Sequence, residues 1–353
     1  MAGYAIAAYG VGSVIGNYLG GWLSDRINFL YIQIGSLLLS SMILLPLMVV
    51  RSYEVIIIVV FLFALVADTF RPANTVAIAH FSKPENQTRS FSLMRLAFNL
   101  GFTLGPAAGG LIAAQFGYKW LFLVDAVTCA FAGLVLWYYF KAYLYDAKPM
   151  SRNREGNVEL VGISAYKDKT YLIFIGMVIL YGFCFLQLLT SIPVHFAEDF
   201  KYSESKVGVL LALNGLLVFV LEMPIISKLE SYKSLKKMMA IGSSLMVVAY
   251  MCLLGFNPFL LFPVLYIIFI TLSEIFAMPF MMSYAMNRPH SSRRGQYSAL
   301  YSMAYAVALI IAPSIGLSLA ENLGFHFFLV VLTIMSGLVT LIFYYMHKVE
   351  TSQ

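Results

Sequence analysis

The sequence predicts an all-α, polytopic membrane protein, and three observations lead to this fold class. Hydrophobic residues make up 61% of the chain and charged residues only 11%, against roughly 45–50% and about 25% in soluble domains. The apolar residues form runs that reach the length of a membrane span, about 20 residues. The basic residues are concentrated in alternate connections between these runs. Too little polar surface remains to cover a globule in water, so the expected solvent is lipid.

Eleven runs are long enough to cross the hydrocarbon of a bilayer. Glycine and proline inside them are acceptable, because neighbouring helices in a membrane satisfy loosened backbone groups. The predicted helices cover roughly 4–24, 30–50, 54–80, 92–116, 119–140, 170–193, 206–226, 236–255, 259–286, 296–319 and 324–346.

The positions of the basic residues predict the orientation in the membrane. Of the 23 Lys and Arg, 18 lie in the connections after spans one, three, five, seven and nine or in the C-terminal tail. The opposite side holds only Arg51, Lys119, Lys201 and Lys206, and Arg71 lies within a span. Because basic residues are enriched in cytoplasmic loops, the first set and the C-terminus are expected in the cytoplasm. The same asymmetry explains the net charge of +6, so no nucleic-acid partner is expected.

An internal repeat divides the chain into two halves. Displaced by 207 positions, residues 89–118 align with residues 296–325 without a gap, and Pro72 falls on Pro279. Repeats of this kind form the two halves of some transporters. The register leaves the first half one helix short, so one further helix is expected before residue 1, lost by truncation or by the choice of start site. The predicted parts are an N-terminal half of five spans, a cytoplasmic linker and a C-terminal half of six spans, over residues 1–141, 142–169 and 170–348.

These features resemble the major facilitator superfamily over essentially the whole chain. "GGWLSDR" is similar to the family's signature between helices two and three, with Gly21, Asp25 and Arg26 at the matching positions. The family's signature continues with basic residues, whereas this chain has Asn28 and Phe29 in that stretch. The resemblance implies a two-half helical bundle in which the eleven spans are family helices two to twelve. It also implies that Asp25 acts as a gating latch at a cytoplasmic junction.

A second motif, "GFTLGPAAGG", is similar to the family's fifth-helix pattern, which is associated with antiporters and particularly with drug–proton exchangers. It comprises Gly101, Gly105, Pro106, Gly109 and Gly110. Small residues on one face allow a neighbouring helix to approach closely, and Pro106 removes a backbone donor. Tight packing and a bend that limits leak are both consistent with this pattern.

Acidic residues within the spans are the candidate coupling groups. Glu274 lies near the middle of span nine, where an acid costs about 2.5–3.5 kcal/mol and therefore faces a cavity or a partner. It is the predicted proton carrier; a structural hydrogen bond is the alternative. Asp68 and Arg71 lie three apart on span three, which places them close enough to pair. They either assist coupling or neutralise each other. Glu222 and Asp125 are expected to be interfacial or packing charges.

Aromatic and amide residues near the middle of the spans are candidate substrate contacts. Binding sites are mostly apolar with a few polar groups, and aromatic faces attract cations. A lipophilic or cationic substrate fits such a lining. The candidates are Tyr181, Gln187, Asn214, Tyr284, Tyr301 and Tyr305.

The sequence therefore predicts a proton-coupled secondary transporter that works by alternating access and exports small lipophilic compounds by proton antiport. A proton symporter or a lipid or glycolipid flippase of the same fold is the alternative, and a non-transporting membrane protein is the alternative from another class. No CxxC, HExxH, GxSxG or P-loop pattern occurs, so we expect no enzyme activity, metal or cofactor. The expected partners are a small-molecule substrate, protons and the lipid bilayer. We expect a monomer in a bacterial plasma membrane.

Overall fold

A computed structural model describes residues 2–50, 52–146, 162–229, 234–255 and 259–351. All regular secondary structure in these ranges is helical. Of the predicted linker, residues 147–161 lie outside the described residues. The helices α1 to α13 are, in order, Ala2–Ser24, Phe29–Leu44, Tyr53–Ala67, Phe70–Phe81, Gln87–Phe116, Lys119–Asp146, Lys169–Leu186, Ser191–Glu198, Glu204–Leu229, Leu235–Leu254, Leu261–Asn287, Arg294–Leu323 and Phe325–Thr351.

These helices form eleven segments in the described chain, because spans three and six each contain two helices. Both are candidate membrane spans, as predicted, but each is interrupted by a short turn that the sequence did not predict. Helices α3 and α4 meet at a turn formed by Asp68 and Thr69. Pro72 lies in the first turn of α4, where a backbone N–H has no partner within the helix and proline is tolerated. Its repeat counterpart Pro279 lies inside the continuous helix α11, so the two halves differ here.

Nine of the segments in the described chain are long and apolar enough to cross a membrane. The other two are α1, with 23 residues, and α5, with 30 residues. At a rise of 1.5 Å per residue, α1 is about 35 Å long, which exceeds the hydrocarbon thickness of about 30 Å. The eleven predicted spans therefore correspond one to one with the observed helical segments.

Close contact between α1 and α3 organises one compact unit, formed by Met1–Ser82, Leu100–Leu172 and Ala285–Ala306. A Cβ on Gly12 or Gly16 would overlap the backbone carbonyl of Phe61 or Leu65. Only glycine permits this approach, since the contact lies on the backbone of α3. In the same unit, α2 packs against α4 and α6 around a core that includes Phe29 and Leu30.

The other compact unit contains Lys83–Asn99, Ile173–Tyr284 and Val307–Gln353. Helices α10 and α13 pack together along their length. The rings of Phe174 of α7 and Phe343 of α13 contact each other in a tilted arrangement, with their centres 6.2 Å apart. This unit also contains a cluster of buried charges formed by Arg95, Glu222 and Glu274.

Candidate functional site

Glu274 lies at the centre of a buried charge cluster within the second unit. Its Oε1 accepts a hydrogen bond from Arg95 Nη2 at 2.7 Å. Its Oε2 is 3.5 Å from Asn214 Nδ2, which also donates to Thr271 Oγ1 at 2.9 Å. The exposed fraction of the side chain is 7% for Glu274 and 11% for Arg95. The predicted carrier is therefore buried and paired with a cation.

The same arginine binds a second acid, Glu222 of α9. Arg95 Nε donates to Glu222 Oε1 at 3.1 Å, and Ser92 Oγ donates to the same oxygen at 2.9 Å. The Glu222 side chain is 0% exposed, so of the two expected roles the interfacial one was wrong, whereas a buried packing charge agrees with the structure. Arg95 was grouped with the basic residues of a connection, but α5 begins at Gln87 and carries it into the buried cluster.

Sequence reasoning missed this arrangement for a physical reason. Arg95 lies in the N-terminal part of α5, and nothing in its local sequence distinguishes a surface cation from a buried one. The available signal was its spacing from Ser92: three residues apart on a helix, the two share a face. Identifying the partner required the packing of α5 against α9 and α11.

Asp68 and Arg71 form the predicted pair in the first unit. Arg71 Nε donates to Asp68 Oδ1 at 2.8 Å. The Asp68 side chain is 6% exposed, whereas that of Arg71 is 54% exposed. The pair lies where α3 ends and α4 begins, so it joins a buried carboxylate to an accessible cation at an interrupted helix.

Asp25 lies in the turn between α1 and α2 and binds the beginning of α12. Its carboxylate accepts from the N–H groups of Gly295 at 2.6 Å and Gln296 at 3.1 Å. These groups lack partners within the helix, and the helix dipole favours a negative charge beside them. A Cβ on Gly21 would overlap the carbonyl oxygen of Gly295, so glycine is required for this approach. Arg26 points elsewhere: its guanidinium lies 4.0 Å from the centre of the Trp22 ring.

Burial changes the titration of Asp25, which lies outside the membrane-spanning helices. Burial raises the pKa of this carboxyl to about 7, from an ordinary value of 3.8. The hydrogen bonds from Gly295 and Gln296 and the charges of Arg26 and Arg293 lower the pKa, but their combined effect is smaller than that of burial. The contact therefore contains a group that titrates near neutral pH.

Asp168 makes a second contact with the same end of α12, which the sequence did not predict. Its carboxylate accepts from Arg288 Nε at 2.6 Å and Nη2 at 2.8 Å, and from the Tyr297 hydroxyl at 2.9 Å. Burial raises the pKa of Asp168, but the hydrogen bonds and charge of Arg288 outweigh it, and the pKa lies below its ordinary value. The end of the predicted linker is thereby attached to the turn between α11 and α12.

The glycine motif of α5 does not mediate close packing in the described chain. Among the described residues, no atom outside the helix lies within 4 Å of a Cβ placed on Gly101, Gly105 or Gly110. At Gly109 the nearest such atom is Leu121 Cδ2, at 3.6 Å. The described contacts therefore lend no support to tight packing at these glycines, and a bend that limits leak stays a prediction. The helix is continuous through position 106, and the side chain of Pro106 lies outside the described residues.

Gln187 is not available to a substrate in this structure. Its amide nitrogen donates to the carbonyls of Phe183 and Ala312 at 3.2 and 3.1 Å. Its amide oxygen accepts from Ser191 Oγ at 2.7 Å and Thr190 Oγ1 at 3.1 Å. All four hydrogen-bonding positions of the side chain are used. In this structure Gln187 connects the turn after α7 to α12, and its role as a substrate contact stays a prediction.

The candidate tyrosines are mainly packed in the protein interior. The Tyr181 hydroxyl pairs with Ser273 Oγ at 3.0 Å, and Tyr284 is 7% exposed. In the first unit, the rings of Tyr301 and Tyr305 meet edge to face at 5.3 Å. Among the six candidates, Asn214, described above, contacts the charge cluster.

The described residues include no group of three or more His, Cys, Asp or Glu that could hold a metal ion. The cysteines Cys129, Cys184 and Cys252 are free thiols.

The eleven membrane-length helical segments of the described chain are those of an integral membrane protein. The chain belongs to the Major Facilitator Superfamily, whose family model matches residues 1–313. Members of this family carry small molecules across membranes, so the fold and family are those of a transporter and not of an enzyme.

Relatives with curated descriptions are similar over much of the chain. An MFS-type transporter of Bacillus subtilis, YttB, is 26% identical over 92% of this chain and 80% of its own length. A Na⁺, Li⁺, K⁺/H⁺ antiporter of Planococcus maritimus is 24% identical over 99% of this chain and 89% of its own. The multidrug resistance protein MdtG of Dickeya zeae is 28% identical over 44% of this chain and 36% of its own.

Solved structures confirm the predicted fold class. The human organic anion transporter MFSD10 superposes with a TM-score of 0.76 at 17% identity, covering 97% of this chain and 83% of that one. The transporter FucP, in an outward conformation, gives a TM-score of 0.69 at 11% identity, covering 98% and 89%. At these identities the likeness concerns the fold alone.

Proposed function

We propose that this protein is a proton-coupled secondary transporter that exports small lipophilic compounds by proton antiport through alternating access. The observation that carries the proposal is the buried contact between Glu274 and Arg95, at 2.7 Å, in the middle of α11. A buried carboxylate that loses its cation becomes costly unless it binds a proton. Movement of Arg95 away from Glu274 would therefore be linked to proton uptake, and its return to proton release.

The other predicted residues have supporting roles in this proposal. Asp68 and Arg71 assist coupling, because protonation of Asp68 would release Arg71, whose side chain is already 54% exposed. Gly21, Asp25 and Arg26 form the gate at the start of α12, and the glycine motif of α5 retains the antiporter role that its pattern implies. The substrate would contact Asn214 beside the charge cluster and, after side-chain rearrangement, the packed residues Tyr181, Tyr284, Tyr301 and Tyr305.

The cellular setting belongs to the same proposal. We place the protein as a monomer in a bacterial cell membrane, with the 142–169 linker and the C-terminus in the cytoplasm. The distribution of basic residues supports this orientation, and the bacterial relatives support the location. The division into halves at 1–141 and 170–348 is supported by the internal repeat.

The test is substrate efflux from vesicles that contain the full chain, driven by an imposed pH gradient. Glu274→Gln should abolish proton-driven efflux and leave the amount of folded protein unchanged, because glutamine keeps the size of the side chain without an exchangeable proton. Glu321→Gln, which removes an exposed acid of α12, is the matched control and should transport normally. Full proton-driven efflux by Glu274→Gln would refute the assignment.

A second candidate substrate class is alkali cations. The relative from Planococcus maritimus, which aligns with nearly the whole chain, is described as exchanging these cations for protons. The same vesicles distinguish the two classes: a lipophilic dye and Na⁺ or K⁺ are loaded in turn, and proton flux is measured for each. Flux that depends only on the dye supports drug export, and flux that depends only on the cation supports ion exchange.

A further inference from the structure

One oxygen of Glu222 is buried without a hydrogen-bond partner. Ser92 and Arg95 both donate to Oε1, whereas Oε2 has no partner in the described structure. The side chain is 0% exposed, so water does not replace the missing donor at the surface. Burying an ionised carboxylate oxygen without a hydrogen-bond donor costs much free energy, and burying the neutral acid costs less.

The charges of the cluster do not balance when both acids are ionised. Arg95 from α5 supplies one positive charge, and Glu222 from α9 and Glu274 from α11 supply two negative charges. Ser92 and Asn214, which also donate to these acids, are neutral. A buried charge without compensation is strongly unfavourable. One bound proton would make the cluster neutral.

The hydrogen bonds indicate which acid holds that proton. Both oxygens of Glu274 face donors: Arg95 Nη2 at 2.7 Å and Asn214 Nδ2 at 3.5 Å. Glu222 is further from the guanidinium, at 3.1 Å, and uses only one oxygen. We infer that Glu222, protonated on Oε2, is the exchangeable proton site of this conformation, while Glu274 remains the charged partner of Arg95.

This inference rests on the proposed proton coupling and makes it more specific. The two acids share two positive charges, the guanidinium and one proton. When Arg95 leaves Glu274, the O–H bond of Glu222 breaks, its proton passes to Glu274, where a new O–H bond forms, and the Glu222 carboxylate retains Arg95. The cluster therefore remains neutral. When Arg95 returns, Glu274 releases this proton to water and Glu222 takes up another from water, so one proton is exchanged per cycle.

Difference infrared spectroscopy of the full-length protein in lipid tests the site without any transport measurement. We expect the C=O band of a buried protonated carboxylic acid near neutral pH. Glu222→Gln should abolish this band, because the remaining Arg95–Glu274 pair is neutral. Glu274→Gln should abolish it as well, because Glu222 then ionises to balance Arg95.

Two further variants locate the proton. Ser92→Ala removes a donor to Glu222 and should shift the band, whereas Asn214→Ala removes a donor to Glu274 and should leave the band in place. Both retain the two acids, so they keep the test valid even if Glu222→Gln fails to fold. Absence of the band in the wild-type protein between pH 5 and pH 8, or a shift caused by Asn214→Ala alone, would overturn the inference. A normal band in a protein whose transport ignores the pH gradient would instead refute the proposed coupling.

Discussion

Raising the pH should loosen the contact between Asp25 and the start of α12. Asp25 is 5% exposed and binds the N–H groups of Gly295 and Gln296. Burial raises its pKa to about 7, whereas the same carboxyl in solvent titrates near 3.8. The closed contact therefore binds a proton more tightly than the open one. This difference links the contact to pH.

The sign and size of the effect follow from the two pKa values. A carboxyl whose pKa is raised in the closed contact stabilises that contact in its protonated form. This stabilisation is complete below about pH 3.8 and is lost as the pH rises through about 7. One pH unit corresponds to about 1.4 kcal/mol. Between pH 5 and pH 9 the loss is therefore about 3 kcal/mol, or roughly 100-fold in the equilibrium between closed and open contacts.

Hydrogen exchange at the amides of Gly295 and Gln296 measures this equilibrium directly. After correction for the intrinsic pH dependence of exchange, the protection of these amides in the wild-type protein should fall as the pH rises from 5 to 9. Asp25→Asn keeps an acceptor oxygen but cannot ionise, so its protection should not depend on pH. Amides inside α13 serve as an internal control. An equal pH dependence in the wild type and Asp25→Asn would refute the reasoning.

Two other substitutions test the packing of the site. Arg95→Gln should destabilise the fold by about 3–5 kcal/mol, because the buried acids are left without their cation. Adding Glu274→Gln to this variant should recover part of the lost stability, as measured by thermal unfolding. A purely additive effect of the two substitutions would argue against the shared arginine. Gly21→Val should remove the protection of the Gly295 amide against hydrogen exchange, because a Cβ at position 21 overlaps the carbonyl oxygen of Gly295. Gly35→Val should retain this protection, because no described atom lies within 4 Å of a Cβ at position 35. Equal protection in the two variants would contradict the close approach.

The helices and their order could be predicted because membrane insertion depends on properties local to each segment. Length and hydropathy determine a span, and the interruption of span three was missed because the run itself remains apolar through Asp68 and Thr69. Proline at position 72 was a usable signal for that interruption. The identical signal at Pro279 does not interrupt α11, so the motif alone does not decide between a break and a continuous helix.

The candidate site was predicted only in part, for a different reason. Glu274 was found because an acid at that depth is conspicuous in an apolar run. Arg95, Glu222 and Asp168 lie near helix ends, where charged residues are ordinary and usually solvated. Their burial depends on which helices pack against them, and no local pattern encodes that information.

The sequence by itself determined the class of protein, the eleven spans, the family and the mid-membrane acid. These follow from the transfer of individual segments into lipid, which is a sum over local residues. Only the tertiary structure decided that one guanidinium serves two carboxylates and that Asp25 binds the N–H groups beginning α12. Both arrangements join residues more than a hundred positions apart, and their energies arise from burial and charge compensation that exist only once the helices are packed.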